Sequence, residues 1–315
     1  MSSYVDFFRR SIDDRDGFWR EQAALIDWHK PFDQVCDYSN PPFAKWFAGG
    51  LTNLCHNAVD RHLATRPDQN ALVFVSTETN IEKAYSFREL HAEVQRMAAI
   101  LKDMGVEKGD RVLIYMPMIA EACFAMLACA RIGAIHSVVF GGFASHALAS
   151  RIEDAQPKAI VSADAGMRGG KVVPYKHLLD EAISLSAHKP AKVLMVNRGL
   201  ADLFPVAGRD VDYAAQREQN MSTVVPCEWV DSTHPSYILY TSGTTGKPKG
   251  VQRDTAGYAV ALAASMKHIY MGNPGETYFS TSDIGWVVGH SYIIYGPLIN
   301  GMATIMYEGL PIRPD

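Results

Sequence analysis

The sequence predicts an α/β protein whose central sheet is parallel and carries helices on both faces. Three observations support this class: short apolar segments recur between residues 111 and 196, longer helical segments separate them, and one of these helices is apolar almost all round. Repeated strand–helix alternation implies right-handed crossovers, which lay the strands side by side in parallel. The strands are expected at 111–116, 134–140, 158–163 and 192–196, and the helices at 119–132, 145–155 and 175–186. Helix 119–132 is the nearly all-apolar one, so we expect it to be buried.

The residues before this core predict an extension followed by a helical layer. Residues 1–50 are rich in aromatic side chains and contain the helix breaker Asn40-Pro41-Pro42, so we expect them to pack on the lobe that follows. Apolar spacing predicts a helix at 51–63 and a strand at 71–75. Ser86 and Glu89 have the spacing of a capping box, which predicts a helix from there to Gly105.

The length of 315 residues exceeds what one hydrophobic core usually supports, so more than one lobe is expected. The irregular, charged stretch 199–230 is where we place the junction. The predicted units are an extension at 1–50, an α/β lobe at 51–230 and the start of a second lobe at 231–315. This second lobe would hold a strand at 237–240, a helix at 255–270 and a segment at 279–309, and we expect it to be incomplete.

Charge and cysteine content exclude several classes of protein. The net charge of −4 and the isoelectric point near 6.3 give no general attraction to nucleic acid or to an acidic membrane. The five cysteines, at positions 36, 55, 123, 129 and 227, include no C-x-x-C pair, which indicates reduced core thiols rather than disulfides or a zinc site. The first ten residues lack a secretory signal, and charges interrupt the most apolar region, 112–140. We therefore expect a cytoplasmic protein.

A loop rich in glycine, hydroxyl and lysine side chains follows the apolar strand 237–240. Glycines let backbone N–H groups approach a ligand closely, and hydroxyl and ammonium groups add further donors, so the loop is suited to a polyphosphate. A solvated turn is the plain alternative. A Walker-type loop is excluded, because position 241 is Thr and position 248 is Pro. The candidate residues are Thr241, Ser242, Gly243, Thr244, Thr245, Gly246, Lys247 and Lys249.

Two more glycine-bearing loops follow strands of the predicted sheet. Phe140-Gly141-Gly142 comes at the end of one strand, and Arg168-Gly169-Gly170-Lys171 comes shortly after another. Parallel strands place both loops at one edge of the sheet, where ligands bind in such folds. Two cations separated only by glycines suit a phosphate monoester, although a solvated turn with ordinary surface charges has the same composition.

These motifs resemble those of a known family. Residues 241–250 match in full the phosphate-loop signature T-S-G-[ST]-T-G-K-P-K-G of the adenylate-forming enzymes. Residues 161–166 and 250–254 are similar to propionate–CoA ligases in particular. Further similarity to acetyl- and propionyl-CoA synthetases lies in Phe18-Trp19, Ile26-Asp27-Trp28, Tyr115-Met116-Pro117-Met118, Phe140-Gly141-Gly142-Phe143, Arg168-Gly169-Gly170-Lys171 and Asp283-Ile284-Gly285-Trp286.

The resemblance implies the N-terminal domain fold of these enzymes and a two-step ligation. ATP and a short carboxylate, propionate first and acetate as the alternative, give an acyl-adenylate and pyrophosphate; coenzyme A (CoA) then attacks and releases AMP. The 241–249 loop and Mg²⁺ would offset charge on the phosphates. In the family the Arg168–Lys171 motif contacts the 3′-phosphate of CoA, Phe140-Gly141-Gly142 lies along the same molecule, and Trp286, Val287 and Val288 line the acyl pocket and the path of CoA.

The resemblance assigns no catalytic residue within this chain. Acetate-type relatives commonly have Thr where Val288 stands, and His290, near Asp283 and Trp286, is equally explained as a packing histidine. Full-length relatives are roughly twice as long and carry further essential groups later in the chain. We therefore expect an N-terminal portion that needs a missing C-terminal part of the same enzyme and has negligible ligase turnover alone. A CoA- or nucleotide-binding fragment is the other hypothesis, and no nucleic-acid or membrane partner is expected.

Overall fold

The computed structural model describes residues 3–241 and 248–311 as a mixed α/β fold. The strands are β1 Gln34–Asn40, β2 Phe43–Ala48, β3 Leu51–Thr52, β4 Asn70–Ser76, β5 Ile81–Ser86, β6 Arg111–Tyr115, β7 Ile135–Val138, β8 Ala159–Ala163, β9 Gly166–Arg168, β10 Lys171–Val173, β11 Lys192–Val196, β12 Asp210–Asp212, β13 Val230–Asp231, β14 Pro235–Thr241, β15 Lys249–Asp254, β16 Thr277–Phe279 and β17 Ala303–Glu308. The α-helices are α1 Tyr4–Asp13, α2 Arg15–Gln22, α3 Leu54–Ala58, α4 Phe87–Asp103, α5 Ala120–Arg131, α6 Ser145–Ala155, α7 Tyr175–Leu185, α8 Tyr213–Gln219, α9 Ala256–His268, α10 Val287–Gly289 and α11 Gly296–Ile299. Short 3₁₀ segments lie at Ala23–Leu25 and Asp60–His62, and a π-helical segment at His290–Tyr295.

The larger sheet has the strand order β12-β11-β8-β6-β7-β14-β15 and is parallel except for its last pair. Side chains of β6 alternate between its two faces. Val112 and Ile114 belong to the core that includes helix α5, whereas Leu113 and Tyr115 belong to the core that includes helices α6 and α7. Because successive side chains of a strand point to opposite faces, the helices cover both sides of the sheet, as predicted.

The four-stranded sheet joins strands that lie far apart in the sequence. Its order is β16-β17-β4-β5, and β17 is parallel to β4, with Glu308 paired to Ser76. In the larger sheet, β14 is likewise parallel to β7. Each of these two sheets therefore contains strands from before and from after residue 230. The division into units at residues 50 and 230 stays a prediction, and sheet pairing does not separate the chain at the second of these positions.

Several predicted elements differ from the structure near the N-terminus. The helix predicted at 51–63 is interrupted and consists of β3, α3 and a 3₁₀ turn. Asn53 explains the interruption: its side chain accepts the N–H of His56 as the cap of α3 and donates to the carbonyls of Ala130 and Glu228. The β1–β2 hairpin, strand β5, strand β12 and helix α8 were not predicted. Asn40-Pro41-Pro42 forms the turn of that first hairpin.

The predicted boundaries of α4 and the burial of α5 are confirmed. The Ser86 hydroxyl accepts the N–H of Glu89 at 3.2 Å, and the Glu89 carboxylate accepts the N–H of Ser86 at 2.8 Å, which completes the capping box. In α5 every residue except Glu121 is buried. Among the described residues there is no helix with the length and apolar character needed to cross a membrane.

Candidate functional site

A cleft of about 310 Å³ lies at the carboxyl edge of the larger sheet. Pro117 and Met118 follow β6, residues 140–142 follow β7, and Gly166 to Arg168 form β9 just beyond β8. The ends of parallel strands meet at one edge, which explains why segments so far apart in sequence line one cavity. The remaining walls are Val173, Tyr175, Ser280, Thr281, Ser282, Asp283, Trp286, Tyr307, Glu308, Gly309, Leu310 and Pro311.

Arg168, Phe140 and Trp286 form one wall of the cleft. The Arg168 guanidinium lies 5.2 Å from the centroid of the Phe140 ring, a cation–π distance. The Phe140 ring in turn lies 5.4 Å from the ring of Trp286, tilted by 39°. The structure thus brings together three predicted site residues from three different segments, and it holds a positive charge against an aromatic surface.

The glycines at 141 and 142 are required by close packing. A Cβ added to Gly141 would lie 1.7 Å from the hydroxyl of Tyr175, and one added to Gly142 would lie 2.5 Å from the Phe140 ring and 2.9 Å from Arg168 Nη1. Tyr175 is buried, and its ring lies 4.7 Å from that of Tyr115. Burial raises the pKa of Tyr175 well above its usual range, so its hydroxyl stays neutral.

The Arg168-Gly169-Gly170-Lys171 motif is the turn of the β9–β10 hairpin. Arg168 and Lys171 are paired across this hairpin, and the two glycines between them have φ values of +60° and +76°. A two-residue loop with both residues in the left-handed region is the type I′ turn that hairpins prefer. The N–H groups of Gly169 and Gly170 donate to the two carboxylate oxygens of Glu78, at 2.6 and 2.7 Å. This turn therefore binds an anion through its backbone.

Two carboxyl groups lie in the wall of the cleft. The pKa of Asp283 is raised by burial, which outweighs the hydrogen bond from the N–H of Gly285 and the charge of Arg168. Glu308 accepts from both terminal nitrogens of Arg198, each at 2.7 Å, and from the hydroxyl of Ser76 at 2.7 Å. The Arg198–Glu308 pair fixes the end of β17 to the segment just after β11 and so holds the wall in place.

Other predicted site residues lie at or outside the margin of the cleft. Trp286 lines it, but Val287 and Val288 begin helix α10, are 43% and 46% exposed, and are not among its lining residues. His290 is buried, its Nδ1 donates to the carbonyl of Trp286 at 3.1 Å, and its Nε2 has no partner among the described residues. Burial lowers the pKa of His290 to about 4. That environment suits a neutral packing histidine.

Most of the candidate phosphate loop, residues 242–247, lies outside the described residues. Its two ends are described: Thr241 ends β14 and pairs with Lys249 at the start of β15. Tyr237 of β14 is opposite His136 of β7. Thr241 is four residues after Tyr237, and Phe140 is four residues after His136. Because the two strands are parallel, the loop after Thr241 leaves the sheet at the same edge as Phe140, which is the edge that carries the cleft.

Sequence reasoning missed several residues of the cleft. Met118 could have been found by the rule that located residues 140–142, because it also follows a strand of the parallel sheet. Tyr175 and Glu308 had no such signal, since their positions depend on packing between distant segments. Glu78, which binds the glycine turn and is not a lining residue of the cleft, lies between β4 and β5, and no motif marks it.

One group of candidate metal ligands, Cys55, Asp60 and Cys227, occurs among the described residues. The guanidinium of Arg131 already donates to both Asp60 oxygens, at 2.8 and 2.9 Å, and lies 3.7 Å from the Cys55 sulfur. Because the Arg131 guanidinium already lies at this group and two of its three ligands are thiols, the group does not fit Mg²⁺, which prefers oxygen ligands. This group is a structural ion pair.

The fold and the cleft together define an α/β protein that presents glycine turns and a cation at the carboxyl edge of a parallel sheet, where such folds bind phosphorylated ligands. The chain belongs to the AMP-binding enzyme family: the family model of that description matches residues 59–315, and a second, "Acetyl-coenzyme A synthetase N-terminus", matches residues 4–58. The predicted family resemblance is confirmed.

Three relatives illustrate the match. The chain is 62% identical to "Propionate–CoA ligase" of Escherichia coli over 313 residues, 99% of this chain and 50% of that protein. It is 47% identical to human "Acyl-CoA synthetase short-chain family member 3, mitochondrial", covering 100% of this chain and 46% of that protein. The solved "Acetoacetyl-CoA Synthetase from Streptomyces lividans" superposes with a TM-score of 0.89 at 27% identity, covering 99% of this chain and 47% of that one. The chain thus spans about half the length of these relatives.

Proposed function

We propose that this chain is part of an ATP-dependent ligase that joins propionate to CoA through an acyl-adenylate. The proposal for propionate draws on identities of 62% and 61% to propionate–CoA ligases, compared with 48% to an acetyl-coenzyme A synthetase of Methylobacterium radiotolerans. Acetate is the competing substrate in this proposal. The remaining half of the relatives' length would complete the enzyme, and we propose a cytoplasmic location.

The observation that carries the proposal is the cleft itself. Arg168, two tightly packed glycines and an aromatic wall converge at one edge of the sheet, and the strand that leads into the phosphate loop ends at the same edge. We assign the Arg168–Lys171 turn to the 3′-phosphate of CoA, Phe140-Gly141-Gly142 to the body of that molecule, and Trp286, Val287 and Val288 to the acyl pocket and the path of CoA.

The phosphate loop is assigned to ATP: Thr241, Ser242, Gly243, Thr244, Thr245, Gly246, Lys247 and Lys249. Attack of a carboxylate on the α-phosphorus builds negative charge on the phosphates, and donors fixed beside them stabilise that transition state. When bound with ATP, Mg²⁺ supplies further positive charge there. Because the first step forms an adenylate on the substrate itself, this chain needs no nucleophilic side chain of its own.

Calorimetric titration of the 315-residue chain with CoA and with dephospho-CoA tests the CoA assignment. CoA is expected to bind about tenfold more tightly, because only CoA carries the 3′-phosphate that Arg168 and Lys171 would contact. R168Q and K171Q should each reduce this preference. K102Q, which removes a lysine charge from the exposed side of helix α4, should leave it unchanged. Equal affinity for the two ligands in the unmodified chain would refute the assignment.

A second candidate function uses the same cleft: a CoA-binding portion without turnover of its own. The match of this chain to only about half of each relative's length favours it. We expect the 315-residue chain to release no pyrophosphate from ATP when propionate is added. Propionate-dependent release would show that ligation occurs within these residues, and acetate in a parallel reaction would rank the two acids.

A further inference from the structure

The glycine turn at 169–170 already holds an anion that belongs to the protein. Both carboxylate oxygens of Glu78 accept backbone N–H groups of this turn, at 2.6 and 2.7 Å. Such short distances are typical of charge-assisted hydrogen bonds. Glu78 comes from the loop between β4 and β5, 91 residues away in sequence from Gly169.

The turn does not need Glu78 in order to adopt its shape. The β9–β10 hairpin is held by three registered residue pairs, and its two central residues are glycines in the left-handed region. Gly-Gly is among the sequences that adopt a type I′ turn most readily. The two N–H groups would therefore face outward with or without the carboxylate, and Glu78 occupies a preformed anion site.

We propose that Glu78 competes with the phosphate monoester of CoA for this turn and weakens the binding of every anion there. This inference rests on the proposed function. A phosphate cannot accept the same two N–H groups while a carboxylate oxygen is bound to each, and the two negative groups repel each other at such distances. The carboxylate must leave before the phosphate binds.

The competition has a consequence for which anions occupy the turn. A free anion such as inorganic phosphate gains only the turn and must still displace Glu78, so it binds poorly. CoA also contacts the rest of the cleft, and this additional binding free energy offsets the displacement. The cost of displacing Glu78 is the same for both ligands and leaves the ratio of their affinities unchanged. It keeps a weakly bound free anion off the turn at concentrations at which CoA still binds.

Substitution of Glu78 by an uncharged residue provides the test in the 315-residue chain. E78Q and E78A should raise the affinities for CoA and for inorganic phosphate by the same factor, about threefold to tenfold, and should leave the affinity for dephospho-CoA unchanged. E82Q is the matched control: Glu82 is exposed on the same β4–β5 hairpin, and its loss changes the net charge equally. Thermal unfolding of each variant establishes that the fold is kept.

These titrations distinguish a failure of the proposed competition from a failure of the proposed CoA site. If the unmodified chain prefers CoA but E78Q and E78A bind it no better, the competition is refuted and the proposed CoA site stands. Weaker CoA binding by both variants would also overturn it, because Glu78 would then organise the turn. An equal gain in E82Q would assign the effect to net charge. If the unmodified chain does not distinguish CoA from dephospho-CoA, the proposed function and this inference both fail.

Discussion

Lowering the pH from 7 to 5 should destabilise the fold through a buried histidine, His62. Burial, reinforced by the positive charges of Arg61 and Arg66, lowers the pKa of His62 to about 4. An unfolded chain has a histidine pKa near 6.5, so the unfolded state takes up a proton first as the pH falls. The stability contributed by neutral His62 is therefore complete above about pH 6.5 and is lost as the pH falls towards 4.

The size of this effect follows from the two pKa values. Between pH 7 and pH 5, a shift from about 6.5 to about 4 corresponds to a loss of about 2 kcal/mol in the free energy of unfolding. His290, whose pKa is also about 4, contributes similarly. Buried carboxyl groups act in the opposite direction, because burial raises the pKa values of Asp254 and Asp283. The whole-chain slope is thus a sum, and a variant is needed to isolate one group.

Urea unfolding of H62Q at pH 7 and pH 5, followed by tryptophan fluorescence, isolates His62. Nε2 of His62 donates to the carbonyl of Leu298 at 2.8 Å, and a glutamine amide can make the same bond without titrating. The loss on acidification should be smaller by about 2 kcal/mol in H62Q. H177Q, a change on the exposed side of α7, should keep the full loss. An unchanged pH dependence in H62Q would refute the reasoning.

Two further predictions concern the walls of the cleft. G141A should lower the free energy of unfolding by about 1–3 kcal/mol, because its Cβ would lie 1.7 Å from the Tyr175 hydroxyl. Adding Y175F to G141A should restore part of this loss. If urea unfolding shows that G141A is as stable as the unmodified chain, this packing is contradicted. R198A should cost about 3–5 kcal/mol, since it leaves Glu308 charged and unpaired where the two side chains are only 10% and 3% exposed. The double variant R198M/E308Q should lose less free energy of unfolding than R198A alone, because it leaves no unpaired charge. A loss below about 1 kcal/mol in R198A would show that the Arg198–Glu308 pair is not desolvated.

The parallel sheet and two of its glycine loops could be predicted because their signals are local. Alternating apolar strands and helices define the order of elements, and the rule for carboxyl ends then places residues 140–142 and Arg168 together. The helix predicted at 51–63 was wrong because Asn53 makes long-range hydrogen bonds that periodicity does not reveal. Glu78 could not be predicted for a similar reason: it meets the glycine turn only after two hairpins have folded.

The pairing of β4 with β17 has a consequence for how the protein is made. Ser76 is 232 residues before its partner Glu308, and at synthesis rates of about 5–20 residues per second that separation corresponds to roughly 10–50 s on the ribosome. During that time the edge of β4 that pairs with β17 has no partner, and an open strand edge is where chains associate wrongly. Proteolysis of stalled nascent chains should therefore show residues 70–76 becoming protected only once residue 308 has left the exit tunnel.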